Sequence, residues 1–452
     1  MAADIHICDT TVCGQTPGDG STWSNAFDDL PATLVRGDTY YIADGDYNTK
    51  TFNTAVSGNT TITIKKATVA EHGTDEGWDN AYGVGQAVFT ATSATGMNFS
   101  TDYWIIDGST RATETTGYGF KVIGQAVASS NIYAFYTDNA DYLQFKYIEV
   151  TSPNTPIANN CIGDGSCTAK GFRIANSSNI TIEYTYIHDV ALPIMHVLGG
   201  DDFIYRYSVA ERNDSCGIGV AGCTVNAHSE SVVVGYGTRN RMYFYNNKFI
   251  DIEGTGVISF ENQVTASNIY IHNNVSYYTT GSDRVGLGNG WFTCTNSNTF
   301  CSSVYIYNNT IVNFPSITAR IDEGTAGAAT SDWIIKNNLW FCNTGSCGTV
   351  VNDADEVMTY DNNWYGGVSY TAGEAGAING TTENPFTNSA TYDFTLKEGA
   401  TPINEGTDLS AIIPSLDYAG HDRAAPWDIG AYEYTGAADV IAPASPTGLA
   451  VQ

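Results

Sequence analysis

Short runs in which apolar and polar residues alternate recur along nearly the whole chain. Thr60-Thr61-Ile62-Thr63-Ile64, Tyr103-Trp104-Ile105-Ile106-Asp107-Gly108, Tyr142-Leu143-Gln144-Phe145-Lys146-Tyr147-Ile148, Ile180-Thr181-Ile182-Glu183-Tyr184-Thr185-Tyr186-Ile187 and Phe203-Ile204-Tyr205-Arg206-Tyr207-Ser208-Val209 are the earlier members. Five later runs carry a doubled asparagine: Asn246-Asn247, Asn273-Asn274, Asn308-Asn309, Asn337-Asn338 and Asn362-Asn363, spaced by 27, 35, 29 and 25 residues. Period-two alternation rich in Ile, Val, Tyr, Phe and Thr predicts strands. Strands repeating at this period, without helical stretches between them, predict an all-β solenoid, a right-handed parallel β-helix of about ten coils with roughly 4.8 Å between them. Asparagines at a tight bend can stack from coil to coil and satisfy polar groups where the strands break. The doublets are therefore assigned to architecture and not to chemistry. Asn308-Asn309-Thr310 also fits a glycosylation pattern, which an Asn- and Thr-rich chain produces by chance.

Composition agrees with an ordered β protein. The 452 residues include 46 Gly and 29 Tyr but 12 Pro, with 12% aromatic and 15% charged residues. The net charge of −29, from 48 acidic and 19 basic residues, argues against a nucleic-acid partner. No apolar run reaches the length of a membrane span. Acidity also keeps a Tyr-rich solenoid soluble, and a bound cation such as calcium would reverse it locally. The ten cysteines form five close couples, Cys8/Cys13, Cys161/Cys167, Cys216/Cys223, Cys294/Cys301 and Cys342/Cys347. Local disulfides are the simplest reading and place the protein outside the cytosol; no CxxC spacing supports zinc. Met1-Ala2-Ala3 reads as a start joined to a mature N-terminus.

Two motifs bracket the solenoid. Gly37-Asp38-Thr39-Tyr40-Tyr41-Ile42-Ala43-Asp44-Gly45-Asp46-Tyr47 resembles the opening of secreted bacterial proteins with the pectin-lyase-like right-handed β-helix. Asp417, Gly420, Arg423 and Asp428-Ile429-Gly430-Ala431-Tyr432-Glu433 resemble their terminator. The resemblance implies a short helix capping the first coil, for which the amphipathic stretch from Ser24 to Val35 is the candidate, and an extracellular, carbohydrate-directed protein. Residues 1–436 form the expected β-helix domain. Residues 437–452, with Ile441-Ala442-Pro443 and Leu449-Ala450-Val451, resemble a linker and the first strand of a fibronectin type III module, so further extracellular modules are expected.

On a solenoid, a ligand lies along an outer face where consecutive coils stack their side chains. His188, His196 and His228 fall close together, among Asp189, Glu211, Glu230, Asp251, Glu253 and Glu261. Aligning Tyr184, Tyr205 and Tyr245 puts Glu211 and Asp251 at equivalent places, about 4.8 Å apart on adjacent coils. That separation suits paired glycosidase carboxyls, the ordinary alternative being two unrelated acids in a solvated turn. His228 and Glu230 share a strand face and suit proton transfer, and His196 can join them. Asp189, His188, Glu253, Glu261 and Arg212 are the expected substrate contacts. Lyases of the resembled superfamily pair Lys or Arg with calcium, and no such pattern is evident among Arg206, Arg212, Arg239, Arg241, Lys248 and Arg284. Gly286, Gly288 and Gly290 with Tyr277, Tyr278 and Trp291 suit either a sugar platform or coil packing. Three functions remain open: a glycoside hydrolase, slightly favoured; a calcium-assisted polysaccharide lyase; and a non-catalytic glycan-binding or adhesin-like surface protein.

Overall fold

The computed structural model describes residues 2–436 apart from 92–94, 125–131, 153–168, 191–192, 214–229, 253, 280–285, 296–297, 315–318, 323–328, 344–346, 348, 354–357, 369–373 and 381–382. The chain winds into a parallel β-helix whose strands belong to three faces, all linked through long parallel ladders. The first sheet begins with Asp4–Ile7, Thr39–Ile42, Ile62–Lys66 and Trp104–Asp107 and continues through 143–146, 180–183, Phe203–Arg206, 242–245, 269–272, 304–307, 333–336 and Met358–Asp361. The second runs from Gly45–Asn48 through Ala87–Ala91, Phe120–Gly124, 148–151, 185–188, Val209–Glu211, Lys248–Ile250, Val275–Tyr277, Thr310–Val312 and Leu339–Phe341 to Trp364–Gly366 and Ile378–Gly380. The third includes Thr95–Phe99, Ile132–Asp138, Ala169–Ala175, Met195–Val197, 232–235, 256–260, Gly286–Cys294, Ala319–Asp322 and Thr349–Asn352. Alternation produces the core directly. In the first sheet Ile106, Phe145, Ile182, Tyr205, Phe244, Ile271, Ile306 and Ile335 follow one another in register, and each is at most 1% exposed.

The corner between the first and second sheets explains the doublets. The second asparagine of each pair is fully buried. The backbone amide of Asn274 donates to Asn309 Oδ1 at 2.9 Å, that of Asn309 to Asn338 Oδ1 at 3.0 Å, and that of Asn338 to Asn363 Oδ1 at 2.8 Å. Each side-chain Nδ2 reaches the other way, as from Asn309 to Ile271 O at 3.0 Å and from Asn338 to Ile306 O at 2.9 Å. One amide thus supplies both a donor and an acceptor to a buried bend. Ser208 and Thr185 extend the ladder at one end, and Glu374 closes it at the other.

The first asparagine of each pair takes a left-handed conformation, with φ between 50° and 56°, which asparagine tolerates best among residues with a side chain. Tyr147, Tyr184 and Tyr207 occupy the same place on earlier coils, with φ of 51° to 57°, and their rings stack at 5.0 and 5.1 Å. The outward amides hold the C-terminal segment. Asn246 donates to Asp417 O, Asn273 to Leu416 O, Asn308 to Asp428 O, Asn337 to Thr407 O and Asn362 to Glu405 O, at 2.8 to 3.0 Å. The terminator motif is the knot of that segment. Buried Arg423 reaches Asn273 Oδ1, Gly430 O and Glu433, while buried Asp417 accepts from the amides of His421 and Glu433. Phe386, Phe394, Leu396 and Ile429 cover the second sheet on one side of the corner, and Leu409, Ile413 and Trp427 pack near Tyr307 of the first sheet on the other. Residues 108–119 cover the tyrosine section: Arg111 lies 4.9 Å over Tyr184 and donates to Tyr207 O, and Glu114 accepts from Lys248 and Tyr418.

At the N-terminal end the helix is the four-residue turn Thr10–Cys13, closed by the Cys8–Cys13 disulfide. The stretch from Ser24 to Val35 is not a helix beyond the single 3₁₀ turn Trp23–Asn25. Pro31 lacks an amide proton, and Asp28 and Asp29 turn outward to the amides of Thr10 and Asn48. Trp23 and Leu34, both buried, fill this end instead. Cys294–Cys301 and Cys342–Cys347 are also disulfides; the couples at 161/167 and 216/223 and the fibronectin-like segment lie outside the described residues. Asn308 is fully buried and so is not placed to carry a glycan.

Replacing Asn309 by Ala removes the middle of the ladder and strands buried amides on both sides. The expected cost is about 3 kcal/mol or more, read from urea unfolding followed by tryptophan fluorescence. Asn308→Gly keeps the backbone conformation and removes the bond to Asp428 O. About 1 kcal/mol is expected, with faster proteolysis confined to residues 400–434.

Candidate functional site

The corner decides which face is left for a ligand. Parts of the first two sheets are covered by the chain's own segments. Inward Phe135, Phe172, Met195 and Val197 fix the parity of the third sheet's strands. The opposite parity forms a column in which Tyr136 faces Arg173, Arg173 faces His196 and His196 faces Val233, followed by Ser259, Thr293 and Asp322; from Val233 onward its members are buried, which leaves Tyr136, Arg173 and His196 as its accessible part. Strand and connection approach closely here: a Cβ on Gly171 would lie 2.2 Å from Ile194 O.

The Arg173 guanidinium donates to the Tyr136 hydroxyl and lies 4.8 Å from its ring centre. The Tyr133 hydroxyl is 3.5 Å from His196 Nδ1, and Lys170 Nζ lies 5.3 Å from the Tyr133 ring centre. Burial pushes the Tyr133 phenol up, and Arg173 pulls it partly back. Arg173, like Arg111 and Arg239, which bond to backbone carbonyls, differs from most cations of the middle coils. Lys121, Lys146, Arg206, Arg212, Arg241 and Lys248 sit on Glu149, Asp107, Glu183, Asp189, Asp202 and Glu114 respectively. Among the described residues Arg173 has no carboxylate partner. A half-buried guanidinium so placed is ready for an anionic group.

A second polar cluster lies on the second sheet, at the roots of the connections. His188 Nδ1 is 2.6 Å from Asp189 Oδ2, and its Nε2 is 3.3 Å from Glu149 Oε1. Lys121 and Gln86 donate to Glu149 at 2.6 and 3.0 Å. Arg212 grips Asp189 with two bonds, at 2.8 and 3.0 Å, and also touches Glu211, which accepts from Tyr186 at 2.7 Å. Burial pushes the Glu149 carboxyl up, but bonds from His188, Lys121 and Gln86 prevail and bring it down to about 2. Burial likewise opposes charge on His188, and the bonds to Asp189 and Glu149 overcome it, raising the imidazole above its usual value.

The structure brings His188, Asp189, Glu211 and Arg212 together and places them apart from the His196 column. Glu211 and Asp251 are on consecutive coils but are not register partners. Tyr205 faces Phe244, and Arg206 faces Tyr245, so Glu211 faces Ile250. Asp251 accepts from the amide and hydroxyl of Thr279 at 2.7 and 2.6 Å, closing a corner. Glu230 is fully buried, and its carbonyl accepts from Asn213 at 2.9 Å across the base of the connection. Glu261 is buried beside Asn262. His228 and Glu253 lie outside the described residues. Trp291, Tyr277 and Tyr278 are buried and serve packing, with Tyr277 stacked on Tyr392 at 5.1 Å. Tyr133, Tyr136, Lys170, Arg173, Lys121 and Glu149 were not singled out from the sequence. For Arg173 a signal existed, because Phe172 and Ile174 of Gly-Phe-Arg-Ile set its outward parity.

No family model matches the sequence, and no curated protein matches it. Solved structures with a similar chain path include the pectate lyase Pel9A, with a TM-score of 0.49 and 16% identity over 96% of this chain and 97% of that one. The PL6 family polysaccharide lyase Pedsa3628 from Pseudopedobacter saltans gives 0.41 and 13%, over 87% and 90%. An alginate lyase from Paenibacillus sp. str. FPU-7 gives 0.34 and 13%, over 78% and 94%.

Glu149 yields a test of the second cluster. Its depressed pKa contributes stability that is present above the unfolded value near 4.5 and lost as pH falls toward about 2. Thermal melts of Glu149→Gln should show lower stability at pH 7 and a shallower decline between pH 4.5 and 2 than the parent protein.

Proposed function

We propose that this protein is an extracellular carbohydrate-active enzyme, and that it cleaves a uronate-containing glycan by β-elimination on the outer face of the third sheet. The observation that carries this reading is Arg173: a cation without a carboxylate partner among the described residues, one register step from His196, in a chain whose net charge is −29. Elimination needs a neutralised sugar carboxylate, so that the adjacent C–H becomes acidic, and a base and an acid to move protons. Arg173 would hold the carboxylate. His196 would take the ring proton as the carbon–carbon double bond forms. The glycosidic C–O bond would break, with its oxygen protonated from the Tyr133 side. Hydrolysis through Glu211 and Asp251 is less well supported, since the two are out of register and Asp251 caps Thr279. The three observed disulfides support the extracellular location. No helix is long and apolar enough to cross a membrane.

Calcium belongs to the lyase reading through the sequence resemblance. Among the described residues no three His, Cys, Asp or Glu side chains gather as its ligands. The carboxylates of the second cluster are committed to Lys121, His188 and Arg212, so no step here is routed through a metal.

The test is a panel of neutral and uronate glycans, monitored for reducing ends and for ultraviolet-absorbing unsaturated products. Unsaturated products from uronate polymers are expected, with a loss of at least about 100-fold in kcat/KM for Arg173→Ala and for His196→Gln. Reducing ends without absorbance, lost in Glu211→Gln and Asp251→Asn, would establish hydrolysis instead. Tight binding without turnover would make the protein a glycan-binding module.

A further inference from the structure

The second cluster stands where the chain leaves the second sheet for the third. Asp189 opens the connection that returns through buried Val190 and Ile194 to His196, and Arg212 opens the next. Asn213 and Ile194 both bond to the carbonyl of Glu230, which ties the bases of the two connections together. Every group that faces His188 takes part. Glu149 comes from the preceding coil, backed by Lys121 and Gln86. Asp189 is on its own strand end, and Arg212 and Glu211 are on the following coil, Glu211 being its register partner. Tyr186 stacks on the imidazole at 4.0 Å, with Tyr118 of the covering loop beyond it at 6.3 Å.

We propose that His188 is a positioning residue: with a carboxylate on each ring nitrogen, it clamps Asp189, and through Asp189 the Arg212 fork, so that the strand end from which the chain runs on to the His196 strand is held in place. Only the imidazolium donates from both nitrogens. Loss of one proton therefore releases either Glu149 or Asp189. The sign follows from the raised imidazole pKa. The clamp is complete below the folded-state value of His188, while Glu149 and Asp189 stay ionised, and is lost as pH rises through that value. The proposal rests on the reading above only in its consequence for turnover; the geometry stands without it.

The test uses the full chain with isotope-labelled histidine side chains, and NMR titration of the imidazole resonances. The His196 resonance should show, besides its own step, a second inflection at the pH where His188 titrates. That inflection should disappear in His188→Gln while the circular-dichroism melt stays cooperative. Arg212→Lys, which keeps the charge and breaks the fork on Asp189, should also weaken it, and serves if His188→Gln does not fold. A His196 curve without the second inflection in the parent protein, or one unchanged by both variants, would overturn the proposal. Because the readout needs no substrate, it is independent of which glycan, if any, is cleaved. If turnover is found, its alkaline limb should follow the same inflection.

Discussion

A solenoid coil has to turn three times, and each turn breaks backbone ladders; at the bend between the first and second sheets the break is buried. There this constraint is met by one side chain per coil. An unsatisfied buried amide or carbonyl costs about 1–3 kcal/mol, and the bend presents both kinds on every coil. Asparagine offers one acceptor and two donors at a length that spans a single coil step, so Asn274, Asn309 and Asn338 each link the coils before and after them. The neighbouring asparagine is then forced outward in a left-handed conformation. Its amide becomes the anchor for the C-terminal segment, and the segment covers the sheet faces beside the corner. Burial of a structural amide thereby decides, two steps later, which parts of the first two sheets the chain covers with its own C-terminal segment.

Much of this was legible in the sequence because the constraint repeats. The doublets, the cysteine couples at 8/13, 294/301 and 342/347, and the Asp417–Glu433 motif each report a local need met by a fixed residue type. Register was less legible, for a specific reason. Tyr205 and Tyr245 look equivalent by residue type, yet Tyr205 points inward at 0% exposure while Tyr245 stacks outside on His272 at 4.8 Å. Tyrosine suits both faces of this wall, since its ring packs and its hydroxyl can reach solvent. A one-residue slip flips every side chain that follows, and it carried Asp251 from the place of Arg212 to that of Glu211.

The third-sheet column was hidden for a different reason. Tyr136, Arg173 and His196 are separated by 37 and 23 residues, and the connections between them vary in length. No spacing rule joins them, and only the register of three strands puts them in one column. Searching by residue type found the acids and histidines and passed over the arginine. The cluster it did find, around His188, proved to be largely neutralised within itself: Lys121, His188 and Arg212 alternate with Glu149, Asp189 and Glu211. Such an array fixes geometry well and offers little net charge to a ligand.

The same accounting would reconcile an acidic protein with the anionic substrate proposed above. A net charge of −29 would repel a polyuronate if every charge acted at full range. At physiological salt, exposed charges more than about 8 Å away are largely screened, so the groups within one or two coil steps of the sugar dominate. On the third sheet those include Arg173 and Lys170, with His196 and two tyrosines. A contact at 4 Å is worth about 4 kcal/mol at the effective dielectric of a protein surface, against about 1 kcal/mol in bulk water. For the proposed substrate, the local cation would therefore outweigh the distant shell.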